Sequence, residues 1–341
     1  MLNANYDDKD KYTEKVTAYD KNGNIKKLQR YSNVLIDSLT YTYSGNQLTQ
    51  VEDATNNSAG FSNGISTENE YMYDNNGNLT KDSNKNISSI AYNCLNLPQQ
   101  VTFSDGSTII YSYAADGTKL RTVHTINGTT TTKDYCANVV YENGVQKMLL
   151  TEEGYVDLSA STPTYYYYLK DHQGNNRVVI NSSGTVQETN NDDPFGGVFA
   201  STGNVQPYKY NGKELDTKKG LNWYDYGARQ YDATLGRWFA VDPLAEKYFN
   251  LSPYTYCNNL PIRYIDPTGK DWKDAWPIFK GSISAKLTSG VRVAGEIENT
   301  GFDFNFGGGQ GFGGFSDIFS DIFSDFMGGG TSRGPQSRKG Q

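Results

Sequence analysis

Arg229, Asp242 and Asp266 are the residues in this chain whose types and spacing could support chemistry. They stand in the short sequences Gly-Ala-Arg, Val-Asp-Pro and Ile-Asp-Pro-Thr-Gly. Two carboxyl groups that lie close together cannot both ionise, so one keeps a proton and the pair can act as base and acid. Arg229 could bind one carboxylate through two guanidinium nitrogens and keep it ionised. The three residues therefore fit an acid–base pair with a supporting cation.

The same two aspartates also have an ordinary structural interpretation. Asp242 followed by Pro243 is typical of a helix start, with Asp as the N-cap and Pro at the first helical position. The sequence Asp-Pro-Thr-Gly at 266–269 fits a type I turn. Judged by spacing alone, the structural interpretation of both aspartates is favoured over catalysis.

A recurring phrase in the first 150 residues predicts the elements that must carry these side chains. It consists of Tyr-x-Tyr, a turn rich in Asp, Asn and Gly, and then Asn-Leu or Asn-Ile. Tyr-x-Tyr places two rings on one face of a strand, and Gly supplies the positive φ that closes the turn. Each unit is predicted to be a β-hairpin that stacks on its neighbours to bury its aromatic face. The tyrosines expected on that face are Tyr43, Tyr73, Tyr92 and Tyr113.

The composition agrees with a mainly β protein and excludes several functions. The chain of 341 residues holds 27 Tyr and 35 Gly, and its net charge is −7. The chain has no basic stripe of the kind that binds a phosphate backbone, so no nucleic-acid partner is predicted for the main body. Two histidines and three scattered cysteines form no ligand cluster, so neither a metal nor a cofactor is predicted. The cysteines Cys94, Cys136 and Cys257 are expected to be small buried hydrophobic residues.

Dense motifs between residues 165 and 270 carry a resemblance to a known family. They are Asp-His-Gln-Gly-Asn-Asn-Arg at 171–177, Pro-Phe-Gly at 194–196, and the stretch from Leu-Asn-Trp-Tyr-Asp-Tyr-Gly-Ala-Arg to Asp-Pro-Thr-Gly at 221–269. The stretch resembles the core domain associated with RHS (rearrangement hotspot) repeats, also called tyrosine-aspartate or YD repeats, of bacterial proteins. Asp192 and Asp193 stand just before Pro-Phe-Gly, where aromatic residues are expected.

The resemblance implies an architecture in three parts. Residues 1–160 would be YD/RHS β-hairpin repeats that form part of a curved, shell-like wall. Residues 161–270 would be the RHS repeat-associated core domain, with short helices, that closes this wall. Residues 271–341 would be a variable tail with a Gly-rich, low-complexity region, in which the residue pattern predicts a hairpin over 283–297 and a helical stripe over 315–327.

The resemblance also implies a reaction. In the family, residues in the positions of Arg229, Asp242 and Asp266 are linked to self-cleavage of the aspartyl-protease type. The cut would fall between Lys270 and Asp271. The family commonly has Leu at the position of Lys270. Such an enzyme would be at most a single-turnover autoprotease.

Partners and localisation follow from the same resemblance. Full family members resemble hollow shells that sequester a cleaved C-terminal toxin, so the expected partners are upstream repeats or the chain's own tail, with secretion machinery or an immunity protein. The tail has no His and no Cys, which argues against a nuclease or thiol-based toxin. The N-terminus has no signal-like segment and no run is long enough to span a membrane, so the chain is expected to be a piece of a larger secreted or surface-associated protein.

Two other functions remain open at the level of the sequence. The chain could be a non-catalytic surface or adhesive repeat scaffold whose aspartates only cap turns. It could also be a truncated remnant of a larger polymorphic toxin.

Overall fold

The computed structural model describes residues 12–275, apart from 56, 58, 65–68 and 200. The hairpin and helix predicted within the tail lie outside these residues. The first four strands form one antiparallel sheet in chain order. Their bounds are β1 Glu14–Tyr19, β2 Ile25–Tyr31, β3 Leu35–Ser44 and β4 Gln47–Asp53.

The next thirteen strands form a second antiparallel sheet, again in chain order. Each strand between the two edge strands pairs with the one before it and the one after it, so the sheet is an unbroken series of hairpins. The strands are β5 Tyr71–Tyr73, β6 Leu79–Asp82, β7 Ile87–Tyr92, β8 Pro98–Phe103, β9 Thr108–Tyr113, β10 Lys119–Ile126, β11 Thr129–Cys136, β12 Val139–Glu142, β13 Val145–Leu150, β14 Gly154–Asp157, β15 Thr164–Lys170, β16 Asn176–Asn181 and β17 Val186–Thr189.

Shorter elements follow. A small antiparallel sheet contains β18 Glu214–Asp216, β19 Trp223–Asp225, β20 Gln230–Asp232 and β21 Arg237–Trp238, and a two-stranded ladder contains β22 Tyr264–Ile265 and β23 Lys273–Asp274. Four short 3-10 turns accompany them, at Tyr210–Gly212, Lys218–Gly220, Ala245–Tyr248 and Cys257–Asn259. The prediction of a mainly β chain of consecutive hairpins is confirmed. No helix among the described residues is long and apolar enough to cross a membrane.

One turn design explains why the repeated phrase folds as a hairpin. In the turn between β5 and β6, Asp74 Oδ1 accepts the N–H groups of Asn76 and Asn78 at 2.9 and 2.8 Å. Gly77 has φ +80°, which glycine adopts without strain. Both asparagines also donate from Nδ2 to Asn96 Oδ1 in the turn between β7 and β8, at 3.0 and 2.9 Å. This turn is therefore closed by its own Asp and tied by amide groups to the turn that contains Asn96.

The repeat tyrosines link successive hairpins through their hydroxyl groups. Tyr43, Tyr73, Tyr92 and Tyr113 are partly buried against the main hydrophobic core, as the spacing predicts. The hydroxyls of Tyr43 and Tyr92 donate to the carbonyl oxygens of Ile25 and Leu79, at 2.7 and 2.6 Å. Because a buried ring ends in a satisfied hydroxyl, Tyr serves both the core and the hydrogen-bond network.

The main core is shared between the hairpin strands and the segment 195–257. Tyr231, Trp238 and Tyr256 are each about fully buried, and their ring centroids lie 4.1 to 5.5 Å apart. The later segment also bonds directly to the hairpins: the N–H of Leu79 donates to the carbonyl of Phe239 at 2.9 Å. The aromatic segment is therefore packed on the hairpin sheets as part of one core.

Asp192 and Asp193, which stand where aromatic residues were expected, form ion pairs. Asp193 Oδ2 lies 3.1 Å from Arg30 Nε of β2, and Asp192 Oδ2 lies 3.2 Å from Arg177 Nη1 of β16. Arg30 is buried, and its Nη2 also donates to the carbonyl of Ala233 at 3.1 Å. A charged contact thus joins the two parts of the core at this point.

The prediction that the cysteines are buried is wrong for two of them. Cys257 is buried, but Cys94 and Cys136 are exposed. Cys94 lies in the turn after β7, and Cys136 is the last residue of β11. Both residues lie where a hairpin ends, and such connecting segments run over the protein surface.

Candidate functional site

The turn between β19 and β20 positions Arg229. Asp225 Oδ1 accepts the N–H of Gly227 at 2.8 Å, and the N–H of Tyr226 donates to the carbonyl of Arg229 at 3.1 Å. Gly227 has φ +87°, so the Gly-Ala-Arg sequence turns the chain without strain. The side chain of Arg229 points into the protein and is about 2 % exposed.

Asp242 follows β21 and is held by both its main chain and its carboxylate. Its N–H donates to the carbonyl of Pro253 at 3.1 Å, and its Oδ1 accepts the N–H of Leu244 at 2.7 Å. The predicted helix start is displaced, because a turn follows Asp242 and the 3-10 helix runs from Ala245 to Tyr248. Asp242 caps the turn through Oδ1 and leaves Oδ2 to face Arg229.

Asp266 organises the loop that leads to the expected cleavage position. Its Oδ1 accepts the N–H groups of Thr268, Gly269 and Lys270, at 3.1, 2.7 and 3.2 Å. The chain bends at Asp-Pro-Thr-Gly, but the shared acceptor is the Asp266 carboxylate and not the backbone carbonyl that would close a type I turn. The loop also contacts the arginine turn, since the N–H of Ala228 donates to the carbonyl of Thr268 at 3.1 Å.

The three predicted residues meet at one nitrogen atom. Arg229 Nη2 lies 3.0 Å from Asp242 Oδ2 and 3.5 Å from Asp266 Oδ2. The side chains of Asp242 and Asp266 are about 12 % and 3 % exposed, so solvent screens this cluster weakly. The arginine was expected to bind one carboxylate with two nitrogens. It instead bridges the two carboxylates, which are brought together as neighbours.

The rest of the Arg229 side chain is fixed by other contacts. Its Nε donates to the carbonyl of Gly269 at 2.6 Å, and its Nη1 donates to the carbonyl of Pro253 at 3.3 Å. Its Cζ lies 4.1 Å from the centre of the Trp238 ring, a cation–π distance. The guanidinium therefore ties the acid pair to the residue that precedes Lys270.

Burial makes the charged forms of all three groups costly. It raises the pKa of both Asp242 and Asp266 above the ordinary value, although the charge of Arg229 opposes the shift in each case. Burial also lowers the pKa of Arg229, against the pull of both carboxylates. Raised carboxyl pKa values favour a proton on the pair, which is the state that acid–base chemistry by two acids requires.

The residues on either side of the expected cut differ in their surroundings. Lys270 is exposed, and its N–H is the third donor to Asp266 Oδ1. Asp271 lies 2.5 Å from Lys247 Nζ through Oδ2, and its other oxygen accepts from the hydroxyl of Tyr248. The chain is thus held on both sides of the Lys270–Asp271 bond.

Cys257 is a neighbour of the site that the sequence did not single out. Burial raises the pKa of its thiol well above the ordinary value, and the charges of Asp266 and Arg229 also act on it. Cys257, Asn258 and Asn259 have φ of +46°, +53° and +55°, a run of left-handed residues. The Asn-Asn pair was the available signal, because Asn tolerates this conformation better than most residues.

His172, in the Asp-His-Gln-Gly motif, is not part of the cluster. Its Nε2 lies 3.1 Å from the carbonyl oxygen of Ile262, and its neighbours Asp171 and Asn175 form the same kind of turn as Asp74 and Asn78. Among the residues that the structure describes, no group of His, Cys, Asp and Glu could hold a metal ion.

Comparison with known proteins places the fold. No protein-family model matches the chain. Solved structures with a similar fold include TcdB2-TccC3-Cdc42, with a TM-score of 0.59, 21 % identity and 79 % of this chain covered. The Photorhabdus luminescens Tc holotoxin pore with a mutation in TccC3 gives a TM-score of 0.58, 20 % identity and 76 % coverage. This chain has an RHS-like, β-rich fold.

A curated relative is similar in sequence over most of this chain. "Salivary gland surface protein 1" of Aedes aegypti is 28 % identical over 258 residues, which are 68 % of this chain and 7 % of that protein. This chain likewise covers 14 % and 13 % of the two RHS-like solved chains. It therefore spans a small part of each protein that it resembles, and its likeness to the solved structures is one of fold alone.

Proposed function

We propose that this chain is the C-terminal part of an RHS/YD-repeat protein that cuts its own backbone once, between Lys270 and Asp271. The observation that carries this proposal is the bridging position of Arg229. One nitrogen of its guanidinium contacts both Asp242 and Asp266, and another contacts the carbonyl of Gly269. Three residues that are separated in sequence thus converge beside the bond expected to break.

The reaction would be hydrolysis by an aspartic pair. One carboxylate takes a proton from a water molecule, whose oxygen attacks the carbonyl carbon of Lys270. The other carboxyl group donates its proton to the carbonyl oxygen. When the tetrahedral intermediate collapses, the C–N bond breaks and the nitrogen of Asp271 takes the proton that the first carboxylate received from water. One hydroxyl of the intermediate returns its proton to the second carboxylate, which restores the pair. The products are a carboxyl group on Lys270 and an amino group on Asp271.

The arginine has a defined part in this scheme. Its charge stabilises the single negative charge of the acid pair, and its hydrogen bond to Gly269 fixes the backbone before the scissile bond. The raised pKa values of Asp242 and Asp266 favour a proton that the two carboxyl groups share. Only one turnover is expected, because the substrate is the chain itself.

The division of the chain into parts remains part of the proposal. Residues 1–160 are assigned to the repeat wall, 161–270 to the core domain and 271–341 to the variable tail. The wall, together with upstream repeats, would enclose the tail, and secretion machinery or an immunity protein would be a further partner. The fold shared with Tc toxin complexes supports association with other components of a secreted toxin system.

A non-catalytic scaffold is the second candidate, and one observation favours it. Asp266 Oδ1 accepts three backbone N–H groups and Asp242 Oδ1 accepts one, so each aspartate already has a structural task. In that case Arg229 would simply neutralise two buried acids, and the chain would remain whole.

Intact-mass measurement of the purified chain separates the two candidates. Self-cleavage predicts a large fragment that ends at Lys270 and a small one that begins at Asp271. Replacing Asp242 or Asp266 with Asn should leave one uncut chain, because an amide cannot share the proton of the pair. Asp116→Asn is a matched control, since Asp116 also caps a turn but is exposed and is remote in sequence from Arg229, Asp242 and Asp266.

A wild-type chain that keeps its full mass through long incubation would refute self-cleavage. The incubation should extend from mildly acidic to neutral pH and avoid strong acid. Asp-Pro bonds, which occur at both candidate aspartates, break chemically in strong acid and would imitate the enzymatic result in part.

A further inference from the structure

The five residues after the expected cut are bound to the body of the protein. β23 pairs with β22, with Tyr264 opposite Asp274 and Ile265 opposite Lys273. The N–H of Ala275 donates to the carbonyl of Arg263 at 2.8 Å, and Ala275 is fully buried. Backbone hydrogen bonds of this kind would survive hydrolysis of the Lys270–Asp271 bond, because they lie beyond it.

Trp272 supplies the main apolar contact of this segment. Its ring lies between two tyrosines, with centroid distances of 5.5 Å to Tyr248 and 4.4 Å to Tyr264. The ring of Tyr248 is nearly parallel to it, with an interplanar angle of 29°. Trp272 is also packed against the main core. Each aromatic pair adds specific attraction to the area that is buried.

Asp271, the residue that would become the new N-terminus, is recognised by its charge. Its carboxylate contacts Lys247 Nζ at 2.5 Å and accepts a hydrogen bond from Tyr248. Lys247 and Asp271 are about half exposed, so the ion pair contributes little to affinity. Its effect is to orient the first residue after the bond, while Trp272 supplies the attraction.

We propose that Lys247, Tyr248 and Tyr264 form a clasp for Asp271 and Trp272, so that the C-terminal fragment stays attached after it has been cut. This inference rests on the proposed self-cleavage for its biological setting, and it adds the residues that would hold the first part of the product in place. The partner of the clasp is the chain's own fragment from Asp271 onward. Release of that fragment then requires the clasp to open.

Size-exclusion chromatography of the cut protein under native conditions tests retention. The fragment from Asp271 should elute with the body in the wild type, and denaturant should separate the two. Trp272→Ala should speed loss of the fragment roughly tenfold or more, since it removes both aromatic pairs. Phe249→Ala is the matched control, because Phe249 adjoins Tyr248 in sequence and is 90 % exposed. Immediate loss of the wild-type fragment would overturn the clasp.

Hydrogen exchange tests the clasp without any need for cleavage. In the full-length Asp242→Asn chain, the amides of residues 271–275 should exchange slowly. Adding Trp272→Ala should speed their exchange by about tenfold, whereas adding Phe249→Ala should leave it unchanged. Equal exchange with and without Trp272 would overturn the clasp. A wild-type chain that is never cut would overturn the proposed function, and the hydrogen-exchange result would then decide whether the clasp exists.

Discussion

Replacing Gly77 with alanine should destabilise the protein for two separate reasons. Gly77 closes the turn between β5 and β6 with φ +80°, a conformation that L side chains rarely adopt. A Cβ atom at this position would lie 2.6 Å from Val241 Cγ2 and 2.7 Å from the hydroxyl oxygen of Tyr254. The same hydroxyl donates to the carbonyl of Gly77 at 2.7 Å, so it cannot move away freely.

The two effects can be given separate magnitudes. The left-handed backbone costs a residue with a Cβ about 1–2 kcal/mol. Overlap with these two packed neighbours costs about 1–3 kcal/mol more. Gly106 provides the control, because it has φ +82° and nothing lies within 4 Å of its added Cβ. Gly106→Ala should therefore show the first cost without the second.

Urea unfolding of the wild type and both variants measures the difference. The free energy of unfolding should fall by about 1–3 kcal/mol more for Gly77→Ala than for Gly106→Ala. Because Val241 precedes Asp242, the Gly77 variant should also slow any self-cleavage. Equal destabilisation by the two substitutions would refute the close packing of this repeat turn against the aromatic segment.

Two further predictions concern the site and the effect of pH. Gly269→Ala should block cleavage, because the added Cβ would lie 2.9 Å from the backbone nitrogen of Arg229. Gly220→Ala is the control and should be cut normally, since Gly220 has φ +74° and open space around it. Intact mass measures cleavage of both variants, and normal cleavage of the Gly269 variant would contradict the prediction. Burial raises the pKa of Asp82 from 3.8 to about 7, so at pH values between these two the folded chain keeps a proton that the unfolded chain loses. The free energy of unfolding should therefore fall as pH rises from 3.8 to about 7. The urea midpoint should fall less with rising pH in Asp82→Asn than in the wild type. Parallel pH curves for the variant and the wild type would contradict this prediction.

The local structure of the repeats could be predicted from the sequence, because it depends on neighbouring residues. Asp74 and Gly77 specify the turn by a carboxylate acceptor and a positive φ, and both act within four residues. The alternation of Tyr41 and Tyr43 likewise places both rings on one face, where they stack at 6.4 Å. The family resemblance was needed to predict a catalytic role for Arg229, Asp242 and Asp266, because spacing alone favoured a structural role for the two aspartates.

The geometry of the site could not be predicted in the same way. Arg229 meets an acid 13 residues away and another 37 residues away, and the folds of the intervening loops decide which oxygen faces which nitrogen. The sequence therefore suggested an arginine bound to one acid, whereas the structure has an arginine shared by two. Asp193 was similarly unpredictable, since its partner Arg30 comes from the first sheet.

The order of the strands has a consequence for when the site can form. Strands β1–β4 and β5–β17 pair in chain order, so each hairpin can fold as soon as its residues leave the ribosome. Arg229 and both acids are made later, on a segment that bonds back to early residues, as Phe239 does to Leu79. The acid pair is thus completed last, after all the hairpin strands have been made. If the chain cuts itself there, the cut is a lasting mark of successful folding, and a misfolded molecule is recognisable because it has remained whole.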